Sequence, residues 1–131
     1  MDIDSLELGL EPEIADAGVQ LGYVAIAGLD NHIHDERFTD TYKNLQQTIV
    51  YGESLETLLA DPQILGYRKL HETFDVKDTA IIPSPESMFR VLFARKTLRS
   101  ISLIVDIYSY VSLKFRISAG AHDIEKISYS M

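Results

Sequence analysis

A mixed α/β fold is what the sequence predicts, on three observations. Residues 21–29 (LGYVAIAGL) form a short, uncharged apolar run between Gly18 and an Asp30-Asn31 turn signal, and read as a buried strand. Four later stretches carry apolar residues three and four apart, the spacing of a helix with one buried face. Residues 79–82 (TAII), between two of those stretches, read as a second, short strand.

The first helix follows from Phe38, Tyr42, Leu45 and Ile49, with Gly52 as its interruption. Leu55, Leu58 and Leu59 resume a turn or two. Asp61-Pro62 then reads as a helix start: Asp accepts from free backbone N–H groups, and Pro suits the first helical position, where no N–H is needed. Ile64, Tyr67, Leu70, His71 and Phe74 line one side of that helix. Ser84-Pro85-Glu86 repeats the device, with Ser84 as cap and Glu86 at the positive end of the helix dipole, ahead of Met88, Phe89, Leu92 and Phe93. Residues 101–117 admit two readings. Odd positions from Ile101 to Ile117 alternate as in a strand, while Ile104, Tyr108, Val111 and Phe115 recur at helical spacing. Length favours helix and β-branched chemistry favours strand.

Composition bounds the function. The chain has 131 residues and 14.8 kDa, 46% hydrophobic and 24% charged, which describes one globular domain spanning residues 1–131 and excludes disorder and low complexity. With no cysteine it has no disulfide, thiolate metal site or cysteine nucleophile. No stretch approaches the ~20 apolar residues of a membrane span. The acidic first 13 residues lack the order of a signal peptide, so a cytoplasmic protein is expected. The net charge of −8 argues against general nucleic-acid binding. Its distribution says more. Residues 1–61 hold 13 acidic and two basic side chains, a net −11, while residues 62–131 hold ten basic and seven acidic, a net +3. Arg90, Arg95, Lys96 and Arg99 form a local basic patch that can meet phosphate, or simply a solvated helix face.

Candidate chemistry is sparse. His32 and His34, near Asp30 and Asp35, are two apart with no third ligand in view, and read as a polar loop and not a metal site. His71-Glu72 opens like a zinc helix, but Asp75 stands where the second histidine belongs. Asp106, inside an apolar run, must be hydrogen-bonded, and a structural role is the plainer reading. Ser118-Ala119-Gly120-Ala121-His122-Asp123 reads either as a turn with a satisfied histidine or as a place where backbone meets ligand beside an acid–base group. No cofactor or metal is expected.

Residues 99–127 (RSISLIVDIYSYVSLKFRISAGAHDIEKI) resemble the tRNA-binding and editing module of the phenylalanyl-tRNA synthetase beta subunit, the B-three/B-four domain, and more closely its free-standing relatives. The synthetase pattern VVDVTNYV followed by Gly-Gln-Pro-x-His-Ala-Phe-Asp-x-Asp-Lys-Ile is matched at Val105, Asp106, Tyr110, Val111, Leu113, Ala121, Asp123, Lys126 and Ile127. The relatives pair a Val-Asp-x-Tyr run with a Gly-Ala-x-Asp turn, and both are present. Tyr67-Arg68, Pro83-Ser84-Pro85-Glu86 and Gly28-Leu29-Asp30 also fit that group. The pattern departs at Arg116 and Ser118, which replace its glycine and proline, and at Ser109, which replaces its asparagine. The editing histidine falls on Gly120, and His122 takes the aromatic position.

The resemblance implies helices packed against a β-sheet, a helix at residues 101–115, and a domain that continues past Met131, so that this chain is the front part of one. Uncovered edges in such a part predict self-association. The resemblance also implies an RNA-associated domain recognising tRNA or aminoacyl-tRNA. Alternatives are a trans-acting hydrolase of misacylated tRNA, and an inert remnant or small-molecule binder. The pocket falls on Asp106, Ser109, Gly120, Ala121, His122 and Asp123, and phosphate contact falls on Arg90, Arg95, Lys96 and Arg99.

Overall fold

Helix α5 (Ser84–Arg95) packs against three others, α2 (Glu36–Gly52), α3 (Leu55–Leu59) and α6 (Leu103–Phe115), while α4 (Pro62–Thr73) packs on α3. A computed structural model gives this arrangement and describes residues 7–76 and 82–126. A five-residue helix α1 (Pro12–Asp16) precedes these elements, and a 3₁₀ turn (Ile124–Lys126) follows them. The chain separates into two compact units, one of Asn31–Ala121 and one of Met1–Asp30 with His122–Met131.

The core lies within the larger unit. Phe89 and Leu92 of α5 meet Tyr42 and Ile49 of α2, Leu58 of α3, Ile64 of α4 and Leu113 of α6, all buried. The apolar spacings place the helices correctly because each buries one stripe. Their ends are set by capping. Asp35 accepts from Phe38 N–H at 3.1 Å, Ser54 from Thr57 N–H at 3.1 Å and Asp61 from Gln63 N–H at 2.7 Å. The Gln63 N–H, above all, and Arg116 beside it hold the Asp61 carboxyl below its ordinary range. Ser84 does not cap α5: Pro83 occupies that position and makes no side-chain cap bond.

Polar ties fix helix to helix. Arg68 grips Glu86 with two bonds, Nε at 2.9 Å and Nη2 at 2.6 Å. Glu86 is almost fully buried, and the guanidinium pulls its carboxyl below the usual range. The ion pair joins Tyr67-Arg68 to Pro83-Ser84-Pro85-Glu86, two stretches the sequence singled out separately. Arg116, left-handed at φ +56 just past α6, reaches Asp61 and, at 2.8 Å, Glu53. Gln63 also donates to Phe115 O at 3.1 Å. These bonds clamp the end of α6 to the start of α4.

The expected α/β fold with a sheet is not found: among the described residues every regular element is helical. Residues 21–29 make no ladder with any described residue, and Leu21, Tyr23, Val24, Ile26 and Leu29 are 43–83% exposed. β-propensity is a fit to a half-buried pleated surface, and no strand among the described residues supplies that surface. The short strand expected at 79–82 lies outside the described residues except for Ile82, which is irregular. The alternating pattern at 101–117 resolves into α6. Ser102 caps it by accepting from Val105 N–H, Asn31 Oδ1 accepts from Ile104 N–H at 2.8 Å, and Leu113 reaches the core.

In the smaller unit, Gly18 follows the Ala17 that caps α1, and its φ of +87 suits glycine; its N–H donates to Ala15 O at 3.0 Å, and that of Val19 donates to Ile14 O at 3.4 Å.

Candidate functional site

Two helix starts converge on a cleft of about 410 Å³ in the Asn31–Ala121 unit. One wall is the loop ahead of α2, with His32, His34 and Asp35; the other is residues 100–103 leading into Asp106 of α6, and Phe38 adds an aromatic surface. The loop at 100–106 is built around a carboxylate. Asp106, 8% exposed, accepts from Ile101 N–H at 3.0 Å and from the Ser100 hydroxyl. Asn31 and Ser102 satisfy the next amides, so the N-terminal donors of α6 are largely consumed inside the fold. No lysine or arginine lines the cleft, and Asp35 and Asp106 are its carboxylates. Its interior therefore suits an uncharged or ammonium-bearing group better than phosphate.

Behind this wall, Tyr42 is buried, with Ser109 near its phenol. Burial, and then the Asp106 charge, raise its phenol above the ordinary range, while Ser109 opposes them. Phe38 stacks on Tyr42 and meets Tyr110 edge-on, each at 5.9 Å between centroids.

The four basic side chains are not among the residues that line the cleft. Arg90, Arg95, Lys96 and Arg99 are all exposed. Arg90 is partly committed, 3.7 Å from Glu86. Arg95, Lys96 and Arg99 have no ionic partner among the described residues. The loop carrying the last two is held by Gln46 of α2, a buried side chain whose Oε1 accepts from Leu98 N–H at 2.8 Å and the Thr97 hydroxyl at 3.2 Å. Lys96 ends α5 at φ +65, a left-handed position that glycine fills at lower cost. Arg99 directly precedes Ser100 of the cleft wall.

The structure thus groups Asp106 with Ser100, His32 and His34, and groups Ser109 with Tyr42. Gly120 and Ala121 are exposed, and no described atom stands within 4 Å of where a Gly120 Cβ would be. His122 and Asp123 are exposed in the smaller unit, where Asp123 Oδ1 accepts from Glu125 N–H at 3.1 Å and opens the 3₁₀ turn. Sequence reasoning missed Gln46, Asn31 and Ser100 as organisers. A mid-helix Gln and a turn Asn carry no local sign of the amides they meet 52 and 73 residues away. No cluster of three or more metal-ligating side chains occurs among the described residues, and no helix there is long and apolar enough to cross a membrane.

The Asn31–Ala121 unit thus combines a polar cleft with a basic stretch that runs in sequence into the cleft wall at Ser100. Comparison with known families bears on the second half of the chain: residues 74–131 match the B3/4 domain, the domain found in the phenylalanyl-tRNA synthetase beta subunit. That stretch includes α5, the basic loop, the 100–106 wall and α6, and there the resemblance seen in the sequence is confirmed. No curated protein and no solved structure matches.

Proposed function

We propose that the Asn31–Ala121 unit is an RNA-contacting module that receives the charged end of an aminoacyl-tRNA. The observation that carries this reading is the stretch 95–99, from the end of α5 to the cleft wall, with three exposed cations that have no ionic partner among the described residues. Phosphate binding is dominated by such cations even on an acidic protein, because each contact releases counterions. The cleft itself has carboxylates and no basic residue, so the backbone would stay on the loop while the aminoacyl group enters. Asp106 retains acceptor capacity for an ammonium group, since a carboxylate accepts about four bonds. The B3/4 match over this stretch supports a synthetase-related role, and the proposal takes the cytoplasm as its setting. Residues 120–123, to which the resemblance assigns ligand contact, are not among the residues lining this cleft.

Hydrolysis in trans is a second reading, favoured by the arrival of His32 and His34 in the same cleft as Asp106. The test is tRNA binding by fluorescence anisotropy. Neutralising Arg95, Lys96 and Arg99 together to Gln should weaken binding about tenfold or more and flatten the salt dependence by roughly 0.7–0.9 per lost contact. Arg90→Gln should do less, because Glu86 already engages that side chain. Unchanged binding in the triple variant would remove the proposal. Release of amino acid from mischarged tRNA, lost in His34→Ala, would promote the hydrolase reading.

A further inference from the structure

We infer that residues 23–27 are a self-pairing surface whose occupant is a second copy of this chain. Three observations carry this beyond the RNA reading. The first is exposure: Tyr23, Val24 and Ile26 are 52%, 83% and 51% exposed, and no ladder among the described residues satisfies the backbone around them. A β-prone run with free N–H and C=O groups is a template for another strand.

The second is charge. Residues 17–29 contain no ionisable group other than Tyr23, on a chain of net charge −8. Two such chains repel wherever their acidic surfaces meet, and this run is where they can approach without that repulsion.

The third is symmetry. LGYVAIAGL is nearly a palindrome about Ala25. In an antiparallel pair with its twofold axis at Ala25, Val24 of each copy stands opposite Ile26 of the other, and Tyr23 opposite Ala27. Beyond them Gly22 stands opposite Gly28 and Leu21 opposite Leu29. One face then gathers two Val and two Ile side chains, β-branched neighbours that favour cross-strand packing. The contact is isologous, so the two facing edges satisfy each other in a pair of copies. Gly28, left-handed at φ +72, ends the paired stretch. Two five-residue strands bury well under the roughly 1,000 Å² of a durable interface, so the dimer must be weak and concentration-dependent. Each subunit's own fold stays helical.

The absence of native cysteine permits a direct test. Ala25→Cys, on the proposed axis, should bring two thiols within disulfide reach. Under mild oxidation this variant should form covalent dimer about tenfold faster or more than Val19→Cys, which stands six residues off the axis. Sedimentation should show the cysteine-free protein in a monomer–dimer equilibrium. Val24→Lys should weaken it about tenfold or more, whereas Tyr51→Lys, equally exposed on α2, should not. Equal crosslinking at positions 25 and 19, a monomer at every concentration, or assembly unaffected by Val24→Lys would overturn the inference.

Discussion

Residues 103–115 and residues 21–29 are both apolar runs, and they end up in opposite environments. The first is α6, with Leu113 at 2% exposure against the core; the second is irregular, with Val24 at 83%. Hydrophobicity does not separate them. What separates them is the supply of partners. Helix α6 has a cap in Ser102, amide acceptors in Asn31 and Asp106, and a facing surface on α2 and α5. A helix satisfies its own backbone and needs only one face covered, whereas a strand needs a neighbour for every backbone group. Of the two runs, only α6 finds what its geometry needs within its own unit.

That contrast can be broken at its strong end. Leu113→Ala should cost about 2–5 kcal/mol of unfolding free energy, read by denaturant titration, because a filled site becomes a cavity. A loss below 1 kcal/mol would mean that α6 is not held as described. Asp106→Ala should cost about 1–3 kcal/mol by leaving the Ser100 and Ile101 donors without their acceptor, and Asp106→Asn should recover part of it.

The ion pair gives a pH test of the same unit. Arg68 depresses the Glu86 carboxyl in the fold, so the pair's contribution is present above the unfolded glutamate range and is lost as pH falls through the lowered folded value. Arg68→Ala should cost about 1–2 kcal/mol at neutral pH, kept modest because Arg68 is 44% exposed. The gap to the unmodified protein should close on acidification. A gap that widened would contradict the assignment.

Lys96→Gly should raise stability by about 1 kcal/mol, since it relieves a left-handed backbone position. The same change should weaken tRNA binding by removing a cation, so stability and binding part company there. The smallest effect belongs to the uncovered run. Val24→Ala should change the stability of the dilute monomer by less than about 0.5 kcal/mol; a cost like that of Leu113→Ala would show that the segment is covered after all.

The helices of the larger unit were legible from their periodicity, and Asp61-Pro62 from its capping chemistry, because helix signals are local. The sheet was misread because a strand's stability lies in its neighbours. The boundary error at Ser84 has the same scale as helix-end fraying, with Pro83 taking the cap position. At the site, the basic patch and Asp106 could be read directly. Gln46 could not, since its meaning comes from amide and hydroxyl donors supplied by a loop 51 and 52 residues later. His32 and His34 read as a polar loop because only the fold brings them opposite residues 100–106.

Amide hydrogen exchange with and without tRNA tests the central claim most directly, because it reads both regions in one sample. The proposed function puts RNA contact on the basic stretch and the cleft wall. Bound tRNA should therefore slow exchange across residues 95–106 and leave residues 20–29 unchanged at concentrations where the chain is monomeric. Protection confined to residues 20–29, or none at 95–106 under saturating tRNA, would contradict the account.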